Sequence, residues 1–254
     1  MAKYSPQTNY FKTSKKLTRI YNYIFWIIFL LSIILSLQNE AFWVNCLSIS
    51  LIILLSIFEL VSKHFKSRAD KIRRMDFIDN SLGTKLVHDS SDEYYDNDEL
   101  ELGLKKITIN LFENSFFSMK ISEKMKKKLF CRNILLTIII IGFAIYGFSN
   151  SVIALPILQL YLSQYFILNM IKLNSFYRNV EATFNDLKSI TENLEYNRKL
   201  TKNEFMLIKV LVDYEVNIAE SNLLLDTKIF NEMNSSLTEE WQEIKYKYLV
   251  EKDD

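Results

Sequence analysis

The sequence predicts an all-α integral membrane protein with two transmembrane helical hairpins, four spans in all, and a large cytoplasmic helical domain. Three observations predict it. Four strongly apolar stretches alternate with charge-rich ones. Only four Gly and two Pro interrupt 254 residues, a helical profile rather than that of a sandwich or an α/β enzyme. Lys and Arg flank the apolar stretches on one side only. The net charge of +1 and mean hydropathy of +0.03 average over these unlike parts.

Residues 1–19 form a polar, basic leader. The apolar run behind it is too long for a signal core and lacks a small-residue cleavage site, so it reads as a retained anchor. The first hairpin occupies residues 20–62. Tyr21, Tyr23 and Trp26 open its first span as aromatic interface anchors, and only Gln38, Asn39 and Glu40 precede the second span, which forces an antiparallel return. Trp43 marks the opposite interface.

Residues 63–132 form a cytoplasmic helical segment. The second span continues as helix through 68–82 and stops near Gly83, with Ile72, Met75, Ile78, Asp79 and Leu82 at helical spacing. An acidic loop over 89–99 carries Tyr94 and Tyr95, and helix resumes over 100–128. The second hairpin, 133–171, turns at Ser149, Asn150 and Ser151, and its first limb is short for a bilayer. Residues 172–254 form a cytoplasmic C-terminal helical region. Thr201 with Glu204 fits a capping box, and Ser236 with Glu239 predicts the start of a last helix near Trp241. Leu207, Val210, Leu211, Tyr214, Ile218 and Leu225 supply one buried face.

Orientation follows from the cations. Lys3, Lys12, Lys15, Lys16 and Arg19 precede the first span; Lys63, Lys66, Arg68, Lys71, Arg73 and Arg74 follow the second. Lys120, Lys124, Lys126, Lys127, Lys128 and Arg132 precede the third, and Lys172 and Arg178 follow the fourth, while neither hairpin turn has any. Both termini and the central segment are therefore expected in the cytoplasm.

The sequence carries no phosphate-cradling Gly-rich loop, nucleophile elbow, H-E-x-x-H, Cys/His cluster or kinase signature, so an enzyme is not expected. Neither is a cofactor or a metal. His64 and His88 stand on separate segments without ligand-spaced neighbours, and Cys46 and Cys131 cannot make a disulfide framework.

The second span carries a line of polar residues. At about 100° per residue, Asn45, Ser48, Ser56, Glu59 and Lys63 share one sector, with Ile52 among them, while Leu47, Ile53, Leu54, Ile57 and Phe58 face elsewhere. A lipid-facing helix would not carry such a line, because each buried polar group needs a partner or water. Two readings stand: the line borders a pore, or it is hydrogen-bonding glue between packed helices. On the fourth span, Gln159 and Ser163 with Pro156 make a shorter line that widens a pore mouth or marks a packing kink.

The basic belt around 63–74 and 124–132 suits a phosphate-bearing ligand, but the positive-inside rule and anionic lipid headgroups produce such belts anyway. Only Arg73 and Arg74, a turn or more beyond the span and followed by Asp76, Asp79 and Asn80, exceed that background. In a pore, Lys63, Lys66 and Arg132 at the inner mouth would favour anions, and Glu59 would oppose them. Four spans without an intramembrane catalytic or coupling cluster suit a homo-oligomeric channel, a tetramer favoured, better than a transporter. A non-conducting membrane scaffold that recruits a partner through its cytoplasmic helices is the alternative.

Two blocks carry a resemblance. Residues 69–86 (ADKIRRMDFIDNSLGTKL), then Tyr94-Tyr95, then residues 113–118 (ENSFFS), lying between two hairpins, resemble the SMODS-associating four-transmembrane effector family of bacterial antiphage defence systems. The resemblance implies a multi-pass protein of the bacterial inner membrane, encoded beside a nucleotidyltransferase. A cyclic nucleotide or short oligonucleotide signal from that enzyme would open or hold closed a pore that permeabilises the membrane and arrests the cell. By position it places Arg73, Arg74, Asp76, Asp79 and Asn80 where the cytoplasmic domain meets the second span, with Glu113, Asn114 and Ser118 packed against them.

Overall fold

A computed structural model of the chain describes residues 5–37, 42–88, 97, 99–147, 156–158, 167–193 and 202–249. Its six long helices are α1 (Thr8–Leu37), α2 (Phe42–Leu82), α3 (Leu104–Tyr146), α4 (Asn169–Asn193), α5 (Lys202–Ser221) and α6 (Thr227–Leu249). No strand occurs among the described residues. The chain is a helical protein, and three of its helices hold segments long and apolar enough to cross a membrane: Thr8–Ile34, Cys46–Leu82 and Leu104–Tyr146.

Several boundaries differ from those the sequence suggests. α1 starts at Thr8, so most of the basic leader is already helical, and α3 runs unbroken through the expected boundary at 132/133. Neither place holds a Gly or Pro, and nothing else there stops an α-helix. Ser236 and Glu239 do not open a helix. α6 begins at Thr227, where Asp226 Oδ1 accepts the Lys228 N–H at 2.9 Å as an N-cap, and the Ser236 hydroxyl bonds back to the Met233 carbonyl at 2.9 Å. Leu82, which shares the helical spacing of Ile72, Met75, Ile78 and Asp79, is exposed at the end of α2. Tyr94, Tyr95 and most of the fourth span lie outside the described residues.

The helices divide into two compact units, with α2, α3 and α4 contributing to both. One comprises residues 9–68 and 126–172. There α1 and α2 run antiparallel: Tyr10 packs against Phe65, and Arg68 lies over the Tyr10 ring. Further along, the Ser14 and Ser62 hydroxyls each reach the other's backbone carbonyl at 3.0 Å, while Thr18 Oγ1 stands 2.8 Å from Ser62 Oγ. Asn133 of α3 donates to the Met170 sulfur of α4 at 3.3 Å.

The other unit comprises residues 1–8, 69–125 and 173–254. Its core is aromatic: Phe77, Phe112, Phe116, Phe176, Tyr214 and Trp241 are all buried. Phe112 meets the Trp241 ring edge-on at 5.4 Å between centroids and Phe184 at 4.9 Å. Two glycines join α2 to α3. Gly83, at φ +69°, ends α2 with its N–H on the Asp79 carbonyl, and Gly103, at φ +145°, gives its N–H to the Ser81 carbonyl.

Candidate functional site

The residues singled out on the last turns of α2 come together with α3 and α5 in a polar junction. It has three parts.

The first is a carboxylate fork. Glu215 of α5 accepts from Arg73 Nη2 at 2.6 Å and from Arg74 Nε at 3.1 Å. The Glu215 and Arg73 side chains are only 10% and 13% exposed, against 43% for Arg74. The pair that matters is thus Arg73 with Glu215, held where water screens it little; the Arg74 contact is a surface ion pair of small net worth.

The second is a turn built on Asp79. Its carboxylate accepts from the Thr84 hydroxyl at 2.6 Å, from the Leu86 N–H at 2.8 Å and from the Val87 N–H at 2.8 Å. An acid in the last turn of a helix opposes the macrodipole, and these donors compensate it. Burial raises the Asp79 carboxyl, but the three hydrogen bonds together hold it below its ordinary value.

The third is an asparagine chain. Asn97 Nδ2 donates to Asn110 Oδ1 at 2.8 Å and to Glu113 Oε2 at 2.9 Å; Asn110 Nδ2 donates onward to Asn80 Oδ1 at 3.0 Å and Ser81 Oγ at 3.1 Å. Asn97, Asn110 and Ser81 are completely buried. The network ties the connecting segment and α3 to the end of α2, and a half-removed network of this kind is costly. Asp76 is buried on the same stretch of α2, Asn114 is half-buried on α3, and Ser118 reaches the Tyr214 hydroxyl at 3.3 Å.

In the other unit, the polar line of α2 is placed as follows. Ser48 is half-buried, and Ile52, Ser56 and Lys63 are exposed. Ser56 gives its hydroxyl to the Ile52 carbonyl at 3.0 Å, and Glu59 pairs with Lys63 at 2.6 Å. The face of α2 that meets α1 is a different one, carrying Phe65 and Ser62. On a helix Ser62 stands roughly 80° round from the middle of the line, so the serine glue of the α1–α2 pair leaves Ile52, Ser56 and Lys63 exposed, while Glu59 is half-buried. The Asn45 side chain, Gln159 and Ser163 lie outside the described residues.

Glu215, Asn97 and Asn110 were not foreseen. Glu215 had a signal, an acid at the margin of the apolar face made by Leu211, Tyr214 and Ile218. Asn110 sits inside the run Ile107–Phe112 of otherwise core residues, whereas Asn97, in an acidic stretch, gave no sign of burial. No group of His, Cys, Asp and Glu suited to a metal occurs among the described residues. The described polar side chains of the junction bond one another from α2 to α3 and from α2 to α5. Compared with family models, curated proteins and solved structures, the chain matches none.

Proposed function

We propose that this chain is a membrane effector of a bacterial antiphage system. Copies associate in the inner membrane, four being favoured, as a channel whose path is bordered by α2. The observation that carries this reading is the exposed part of the polar line: Ile52, Ser56 and Lys63 stand exposed on a sector of α2 apart from the Ser62 that meets α1. In a bilayer such residues call for a partner helix or for water, and this reading supplies both from neighbouring copies around a path. Four spans with both termini in the cytoplasm belong to the same reading, as does an anion preference set by Lys63 and Arg132 and opposed by Glu59; Lys66, placed at that mouth by sequence, is buried.

The junction supplies the gating step. α2 is one unbroken helix from the line to Arg73 and Arg74. A cyclic nucleotide or short oligonucleotide, made by a partner nucleotidyltransferase, would offer phosphate oxygens that compete with the Glu215 carboxylate for the two guanidiniums. Exchange of one anion for the other frees α5 from α2 and changes the balance between closed and open states. The nucleotide class comes from the family resemblance; the chemistry of the fork fits any phosphate of that size.

The second reading is a non-conducting scaffold, favoured by the Ser14, Thr18 and Ser62 cluster, where hydroxyls between α1 and α2 serve packing alone. Ion flux through liposomes holding the purified protein separates the two. Flux that cyclic dinucleotides or short single-stranded DNA raise or abolish, and that S48L/S56L removes, is the expected result. No flux under any condition would leave the scaffold.

A further inference from the structure

α5 has two apolar faces. Leu207, Val210 and Tyr214 turn into the core of their unit, while Phe205, Ile208, Val212, Val216 and Ala219 form a second row pointing outward. Steps of three, four, four and three residues keep the second row within a sector of roughly 80°, the spacing of a helix–helix seam. The row is well open: Phe205 is 66% exposed and Val212 is 53% exposed. α5 belongs to the unit of residues 1–8, 69–125 and 173–254, and an exposed apolar row of this length calls for a cover.

The shoulders of the row tell against a membrane surface as its cover. Helices that lie on anionic lipid carry Lys and Arg beside the apolar face. Here Asp213 and Glu220 accompany Lys209 on one shoulder, and Glu204 stands on the other, beyond which Glu215 is buried in its fork with Arg73 and Arg74. The row also pairs with itself in one direction only. About a two-fold axis at Val212, antiparallel helices set Phe205 of one copy against Ala219 of the other and Ile208 against Val216, large against small. The same axis brings Lys209 of one copy to Asp213 of the other, offset about 3 Å along the helix. Within one chain these two already pair at 2.7 Å, and both are well exposed. Parallel pairing would stack Phe205 on Phe205 and turn Asp213 and Glu220 toward the shoulder that carries Glu204.

We infer that the outward row of α5 is a contact between two copies of this chain, antiparallel and two-fold about Val212. The seam is too short to hold two free chains together in water, and it works where copies are already concentrated in one bilayer. An isologous contact is not compatible with neighbours around a four-fold ring, so an assembly of four would be a dimer of dimers at this layer. The inference takes from the proposed function only that copies meet in one membrane, and it holds whether or not they conduct.

Thiol cross-linking in membrane vesicles tests it, using full-length chains in a C46A/C131A background. With a short bis-maleimide, V212C is expected to give a dimer band. F205C mixed with A219C is expected to do the same, and F205C alone is not. K209E and D213K, each alone, should weaken the V212C band several-fold, and K209E/D213K together should restore it. No V212C band from vesicles whose protein keeps the wild-type circular dichroism would overturn the contact, as would quenching of a V212C-attached fluorophore by brominated lipid. A strong F205C band alone would overturn the antiparallel pairing. Loss of ion flux with the V212C band intact would count against the channel and leave this contact standing.

Discussion

Removing the carboxylate of Glu215 by E215Q leaves its size in place and strips Arg73 of its counter-charge. The Arg73 side chain is 13% exposed, so most of the desolvation it has suffered is no longer compensated. Breaking a well-buried ion pair on one side costs about 3–5 kcal/mol, and the residual exposure places this one near about 3. Arg74, at 43% exposure, adds little. At about 2–4 °C per kcal/mol for a chain of this size, E215Q should melt about 6–12 °C below the wild type. The assay is tryptophan fluorescence in detergent micelles at one scan rate, in a W26F/W43F background, so that the buried Trp241 reports on the core it belongs to. R73M/E215M should recover at least half of the loss, because two apolar side chains need no desolvation. An E215Q midpoint within about 2 °C of the wild type would refute the idea that this fork latches α2 to α5.

Asp79 gives a pH dependence. Its carboxyl is held below its ordinary 3.8, so it stabilises the fold above that pH and the contribution disappears as pH falls through the lowered value; D79N should flatten the acid limb of a stability–pH curve. G83A meets a backbone at φ +69° and places a Cβ 2.6 Å from the Leu102 Cδ1 atom, a flexible tip that can rotate away. Its cost should be about 1–2 kcal/mol in a urea titration, mostly backbone. S62A removes the hydroxyl shared by Ser14 and Thr18 and should lower the midpoint of an SDS titration by about 1 kcal/mol. Tyr177 donates its hydroxyl to Glu181 at 2.7 Å, which pushes its phenol up to about 12 because ionisation would set two anions together. The difference between wild-type and Y177F absorbance titrations should therefore show an inflection near that value and not near the ordinary 10.0.

The helical class and the apolar stretches were legible in the sequence because both depend on local terms. Scarcity of Gly and Pro, the length of an apolar run and the 3.6-residue period are properties of neighbours along the chain. Gly83 as the end of α2, and Leu207, Val210 and Tyr214 as the inward face of α5, were readable for the same reason. The polar line was readable as a sector, though not which of its residues stand exposed: that depended on which face of α2 meets α1, where Ser62 and Phe65 make the contact and Ser56 and Lys63 do not.

What only the tertiary structure decided is who partners whom over long separations. Arg73 finds its acid 142 residues away, and Asn97 is buried against Asn110 and Glu113 although its own segment reads as surface. A local pattern carries no record of such contacts, since they stabilise the fold only after several helices have docked. The false helix start at Ser236 has the same origin in reverse. A capping box is a local preference of about 1 kcal/mol, and a helix already begun at Asp226, with Leu237 and Trp241 buried on one face, outweighs it.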